Sequence, residues 1–198
     1  METFKEYINE ISIIKLKKLY KLKDEQMVHE FVKEFNIKEK IVVKKSNISF
    51  LEKRKNLFYI EYSNQGLLIH ELLHILQFIA LKNNINELEK YIDFDPENLK
   101  ESLPRYALQT KELNNQAISV AYTLNEKGLN LKNYNSIDSN DRLSIYLNIM
   151  THLSGDTNLL KKRDKLFDLI NKYQTFMKYI DYENKELHES LFYGPSFI

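Results

Sequence analysis

The sequence predicts an α+β fold, mostly helical, in which one small sheet interrupts long runs of helix. Three observations carry this. Apolar residues recur at helical spacing over most of the chain. Only between residues 40 and 62 does the pattern turn to short runs rich in β-branched and aromatic residues. And 4 Gly and 3 Pro among 198 residues leave few places for a helix to break. No repeat, low-complexity tract or linker divides the chain, so residues 1–198 read as a single domain with room for a sizeable core.

The elements follow in order. Phe4, Ile8, Ile11, Ile14 and Leu19 mark a helix over 2–20. Asp24 is expected to cap a second one running to about Phe35, with Met27, Val28, Phe31, Val32 and Phe35 inward. These form an N-terminal helical part, residues 1–36. "KIVVKK" (40–45), "ISFLEK" (48–53) and "LFYIEY" (57–62) read as three strands, with "SN" at 46–47 and "KRKN" at 53–56 as hairpin turns. Ser63 and Asn64 can cap the next helix. Within the segment 64–127, Asp95 looks like an N-cap with Pro96 at the first helical position. A further helix is expected from about Arg105 to Lys127, stopped by Gly128 at its C′ position. Residues 139–155, 157–180 and 184–192 read as C-terminal helices.

Composition removes several functions. There is no cysteine, so disulfides, thiol catalysis and Cys-type zinc sites are excluded, and the chain fits a reducing, cytoplasmic setting. The N-terminus has charges every few residues and no apolar core of a signal peptide; no stretch reaches the ~20 apolar residues of a membrane span. Net charge is +1, yet residues 1–60 hold 14 Lys/Arg against 9 Asp/Glu. "KLKKLYKLK" (15–23) and "KEKIVVKK" (38–45) are read as solvated faces and not as a nucleic-acid footprint, because acids are interleaved nearby and no stacking motif accompanies the lysines.

One segment does not fit a plain core. "NQGLLIHELLHILQFIALKNN" (64–84) is almost wholly apolar but carries His70, Glu71 and His74. Four residues on a helix are about 6 Å of rise and about 40° of rotation, so both imidazoles leave one face. Zinc accepts two such nitrogens at roughly 2.0–2.1 Å. Glu71, beside the first histidine, is then placed to take a proton from a water on the metal. An ion also explains ionisable groups on an apolar helix, since it compensates their desolvation. The helix should form the floor of a cleft, with Leu72, Leu73, Leu76, Phe78 and Ile79 in the core.

"HELLH" on a helix after a short sheet resembles the zincin metallopeptidases, whose fold sets an active-site helix against a small twisted sheet. The resemblance covers about residues 40–127 and implies a zincin-like fold, a Zn²⁺ cofactor and peptide-bond hydrolysis. The metzincin branch would need a glycine at 77 and a histidine at 80; Gln77 and Ala80 stand there. The gluzincin branch takes its third ligand from a glutamate on a later helix. Glu87, Glu89, Asp93, Asp95, Glu97, Glu101, Glu112 and Glu126 are the acids available. Asp95 and Glu97 suit a helix N-terminus, and Glu126 sits beside Gly128. Glu112 is preferred: it shares a stripe with Gln116 and Val120, while Ala117 and Ala121 let another helix approach closely. Gln116 occupies the place where gluzincins keep an Asp behind a ligand histidine. Arg105, Tyr106, Tyr122, Tyr146 and His152 are the candidate donors to a developing oxyanion, and none is singled out. His29 and His188 read as surface residues.

The resulting expectation is a small zinc-dependent metallopeptidase acting on protein or peptide, with His70, His74 and Glu112 on the metal and Glu71 as general base. Two rivals stand beside it: a catalytically inactive zincin-fold component of a larger assembly, viral for instance, and a protease that finds nucleic-acid-bound substrates. The substrate and the oligomeric state are not legible.

Overall fold

The strand "LFYIEY" is the most deeply buried of the three, and the sheet is arranged around it. The computed structural model describes residue 19 and residues 21–80, 96–109 and 112–192. The helix expected over 2–20, the acids Glu87, Glu89, Asp93 and Asp95 with the expected Asp95 cap, and the His188 side chain lie outside the described residues.

The described elements are α1 (Asp24–Phe35), β1 (Lys40–Lys45), β2 (Phe50–Arg54), β3 (Leu57–Tyr62), α2 (Gln65–Ala80), α3 (Leu99–Ala107), α4 (Leu113–Glu126), α5 (Arg142–Thr151) and α6 (Thr157–Phe192), with 3₁₀ turns at Pro96–Asn98 and Tyr134–Ser136. The chain is α+β and mainly helical, with one three-stranded sheet, as its pattern predicts.

The sheet order is β1-β3-β2, which corrects one expectation. β2 and β3 do form a hairpin, Arg54 pairing with Leu57. β1 and β2 do not; β1 instead runs parallel to β3, from Lys40↔Leu57 to Lys45↔Tyr62. The reason lies in side-chain chemistry. Phe58, Ile60 and Tyr62 alternate inward along β3, and Phe58 and Ile60 are fully buried. That strand belongs in the centre. β1 and β2 carry Lys44, Lys45, Lys53 and Arg54, charges that suit sheet edges. At the expected β1–β2 turn, the Ser46 hydroxyl bonds within its own loop and its N–H goes to the Tyr62 carbonyl.

Other departures have local causes. Asp24 does not cap α1 but begins it, behind Lys23. Its carboxylate bonds the Tyr62 hydroxyl, and this together with the larger effect of burial pushes Tyr62 up to about 12. The helix expected over 105–127 is two, α3 and α4. The break passes through Leu108 and Gln109, and the Gln109 carbonyl accepts from the N–H groups of both Glu112 and Leu113 to start the next helix. Residues 157–192 form a single helix where two were expected; "DYEN" at 181–184 holds no Gly or Pro to break it. Ile79 is 38% exposed and not in the core, whereas Leu72, Leu73, Leu76 and Phe78 are buried.

The caps at Asn64 and Gly128 fall where expected. Asn64 Oδ1 accepts from Leu67 N–H at 3.0 Å. Gly128, at φ +66°, turns the chain so that its N–H meets the Asn125 carbonyl and Leu129 N–H meets that of Leu124, a Schellman closure. Asp141 caps α5 through Leu143 N–H at 2.8 Å. No helix among the described residues is long and apolar enough to cross a membrane.

The core is layered. α2 packs on β3 with one face and on α4 with another, and α4 in turn packs on α6. Phe58 of β3 meets Phe78 of α2 edge-on, centroids 5.5 Å apart. α2 and α4 run antiparallel: Gln65 meets Tyr122 near one end, and Gln77 meets Asn115 near the other. Their spacing is set at Gly66. A Cβ there would lie 2.4 Å from Thr123 Oγ1 and 2.8 Å from the Ser119 carbonyl oxygen. The glycine lets α2 lie directly against the α4 backbone at Ser119 and Thr123, whereas the small residues Ala117 and Ala121, both fully buried, fall on the opposite face of α4 and not in this contact.

This contact makes Gly66→Ala informative. Helix propensity alone favours alanine by about 1 kcal/mol. The clash with the Ser119 backbone should reverse that sign and destabilise the protein by about 1–3 kcal/mol, read as a lower thermal midpoint. A midpoint at or above the parent's would show that the two helices spread apart freely.

Candidate metal centre

α2 presents His70, Glu71 and His74 toward the start of α4. A helix this apolar is buried nearly all round, so its three ionisable groups are drawn into the interior: His70 is 3% exposed and Glu71 6%. Glu112 meets them from the residue that precedes the first turn of α4, with no exposure at all. The N-terminal end of a helix favours that carboxylate. The antiparallel packing brings the middle of α2 opposite the beginning of α4, which is why residues 38 and 42 positions apart in sequence meet.

The donor atoms face one another. His70 Nε2 and His74 Nε2 are 3.0 Å apart, with the rings nearly perpendicular at 79°. His70 Nε2 lies 3.3 Å from Glu112 Oε2, and His74 Nε2 lies 3.4 Å from Glu112 Oε1. Four ligands at 2.0–2.1 Å in a tetrahedron stand about 3.3–3.4 Å from each other. The three donors therefore already form one face of such a tetrahedron, within a few tenths of an ångström. Neither Glu112 oxygen has a hydrogen-bond partner of good geometry, although both are buried. Among the described residues the carboxylate's partners are the two imidazoles alone, and a cation between the three residues would serve the same buried charge. His70, His74 and Glu112 could hold a metal ion.

The surroundings shape each group. His74 Nδ1 lies 2.7 Å from Gln77 Oε1 and 3.2 Å from Asn115 Nδ2, and Gln77 Nε2 reaches Asn115 Oδ1 at 3.4 Å. Burial works against a charged His74, but Glu112, Glu71 and Gln77 outweigh it and raise the imidazole to about 9. Burial likewise opposes ionisation of Glu112, and the two imidazoles beside it win, holding the carboxyl far below its ordinary range. Glu71 moves the other way. Its burial raises it, the nearby histidines only partly offset this, and the charge on Glu112 adds to the rise. Two carboxylates a few side chains apart are thus pushed in opposite directions by one site, a pattern of divided acid–base roles.

The remaining candidates sort cleanly. His152 is exposed, and its Nδ1 bonds the Asn148 carbonyl of its own helix. Arg105 is exposed on α3. Tyr122 is buried, but its hydroxyl donates to Gln65 Oε1 at 2.7 Å, toward the far end of α4. Gln116 is half-buried and does not take the place expected behind a ligand histidine; Gln77 and Asn115 hold that place, because Asn115 is three residues beyond Glu112 and shares its face. Tyr146, on α5, lies near enough to Glu112 to feel its charge. Its ring is half-buried but its hydroxyl is buried with no partner, and burial together with the Glu112 charge raises it well above the ordinary phenol range. Gln77 and Asn115 were missed in the sequence. Spacing could have found them: His74 and Gln77, like Glu112 and Asn115, are three apart on a helix.

No protein-family model, curated protein or solved structure matches this chain.

The proton on His74 gives a prediction for the metal-free chain. Its imidazole is raised from an ordinary 6.5 to about 9, so its contribution to stability is fully present below about pH 6.5 and lost as pH rises through about 9. An incoming ion must displace that proton. Zinc affinity should therefore climb by roughly tenfold per pH unit from neutrality to about pH 9 and then level off, as followed by competition with a chelator. A flat profile over that interval would exclude His74 as a ligand.

Proposed function

We propose that this chain is a zinc-dependent metallopeptidase of gluzincin type, with a zincin-like arrangement of sheet and active-site helix. The observation that carries the reading is the convergence of His70, His74 and Glu112 donor atoms within 4.8 Å of one another, with Glu71 buried beside them. Two nitrogens and one oxygen, all from side chains, suit zinc and leave a fourth position for water or substrate. Hard oxygen-seeking ions such as calcium and magnesium would want more carboxylates. Zinc bound there would supply Lewis acidity and bring the pKa of water down to ≈ 7.

The chain's own residues supply the rest. Glu71 is the general base: its raised affinity for protons suits a group that takes a proton from the attacking water and returns it to the departing amine. Tyr146 offers its otherwise unpartnered hydroxyl to the carbonyl oxygen as charge develops there. Burial of the cluster excludes bulk water and strengthens these interactions, while His74, whose side chain is 12% exposed, is the most open of the three. Peptide bonds are the proposed substrate by resemblance to the zincins; the geometry by itself supports metal-assisted hydrolysis.

Two variants test the reading together. The parent protein should carry one zinc per chain by elemental analysis, and Glu112→Ala should lose it on dialysis. Glu71→Gln should keep the zinc yet cut hydrolysis of a peptide library by about 10²–10⁴-fold. Zinc retention with no hydrolysis in the parent itself would favour a metal-stabilised scaffold instead.

A further inference from the structure

We infer that Gln77 and Asn115 form a neutral amide clamp that fixes the His74 tautomer and ties the two metal-bearing helices together, a positioning role distinct from ligation. It rests on the metal-binding part of the reading above, not on peptide hydrolysis.

The geometry is that of a four-cornered brace. His74 and Gln77 lie one turn apart on α2, and Glu112 and Asn115 lie three apart across the start of α4. His74 reaches Glu112 at 3.4 Å; Gln77 reaches Asn115 at 3.4 Å; Gln77 Oε1 closes on His74 Nδ1 at 2.7 Å. Gln77 is 3% exposed and Asn115 wholly buried, so neither amide has water as a ready substitute partner. The shortest of these contacts places an amide oxygen against Nδ1. In this shortest contact that nitrogen is the donor, so Asn115 Nδ2 at 3.2 Å is a neighbour of Nδ1 and not its donor, and Nε2 is left facing Glu112 and His70, free to take a metal once its proton is displaced. Gln77, having accepted through its oxygen, donates through its nitrogen to Asn115 Oδ1, and the link crosses from one helix to the other.

Because the acceptor is an amide and not a carboxylate, the imidazole is oriented by a neutral partner that places no second charge behind it. A carboxylate behind a ligand histidine raises its donor strength; a neutral oxygen does so less. A metal held there would be bound less tightly than one backed by a carboxylate. His70 has no such partner, its Nδ1 being buried and unpaired. The two ligand histidines are thus unequal, and the clamp acts on one of them.

The test measures zinc affinity by chelator competition in the parent, Gln77→Leu, Gln77→Glu, Asn115→Leu and the Gln77→Leu/Asn115→Leu double variant. It is paired with the His74 Nδ1–H proton resonance of the zinc-loaded protein. Gln77→Leu should weaken zinc binding by about 10–100-fold and lose the slowly exchanging Nδ1–H signal. Gln77→Glu, of the same shape, should bind zinc more tightly than the parent and keep that signal. Asn115→Leu should cost less, and adding it to Gln77→Leu should cost little more, because Asn115 acts through Gln77. Unchanged affinity in Gln77→Leu, or an affinity in Gln77→Glu at or below the parent's, would overturn the clamp, as would losses that simply multiply. A parent that binds no zinc would instead defeat the metal reading itself.

Discussion

Burying two imidazoles and two carboxylates at one helix–helix contact is the constraint to which the rest of this structure answers. An unpaired buried charge costs several kcal/mol, a large part of what a domain of this size has in hand. His70, His74 and Glu112 meet that cost by facing one another, and this is possible only if α2 and α4 lie close, antiparallel and in one register. Gly66 allows the approach, since a side chain there would run into Ser119 and Thr123 of α4. The sheet's role is subordinate: β3 backs α2 through Phe58 and Phe78 and keeps its polar face turned toward α4.

The same contact explains how two acidic groups come to behave oppositely. Glu112 sits between both rings and at the start of a helix, so its charge is well compensated. Glu71 shares the burial but receives only part of the compensation, and it feels Glu112 as a like charge. Two glutamates are thus set apart by placement alone, one suited to holding a cation and the other to holding a proton.

Much of this could be read in the sequence, and what could not has physical reasons. His70, Glu71 and His74 announce themselves, because charge on an otherwise apolar helix has few explanations. Glu112 was reachable by weighing the acids that follow His74, but the close helical partner came from Gly66 and not from Ala117 and Ala121, which lie on the other face of α4. The break just before it was not, since "LQTKE" contains no Gly or Pro and offers no signal for a helix to stop. The parallel pairing of β1 with β3 was hidden for a related reason. Strand patterns fix which side chains point inward, but not which neighbour a strand chooses. Gln77 stood in plain view as the residue that excludes one zincin branch, while its bond to His74 depended on a side-chain direction that spacing alone does not resolve. Among the described residues, Tyr146 is the tyrosine whose fully buried hydroxyl has no hydrogen-bond partner.

Gly66 touches α4 at Ser119 and Thr123, whereas Glu112 stands about two turns away at the other end of that contact. Seven residues of helix are a lever of about 10 Å. Ligand distances in a metal site tolerate only about 0.2 Å of error, which over such an arm corresponds to a tilt of about one degree. In the proposed metal site, fidelity of coordination would thus be set partly by a fulcrum that touches none of the three donors, and sequence drift around it would loosen their hold on an ion long before it unfolded the chain.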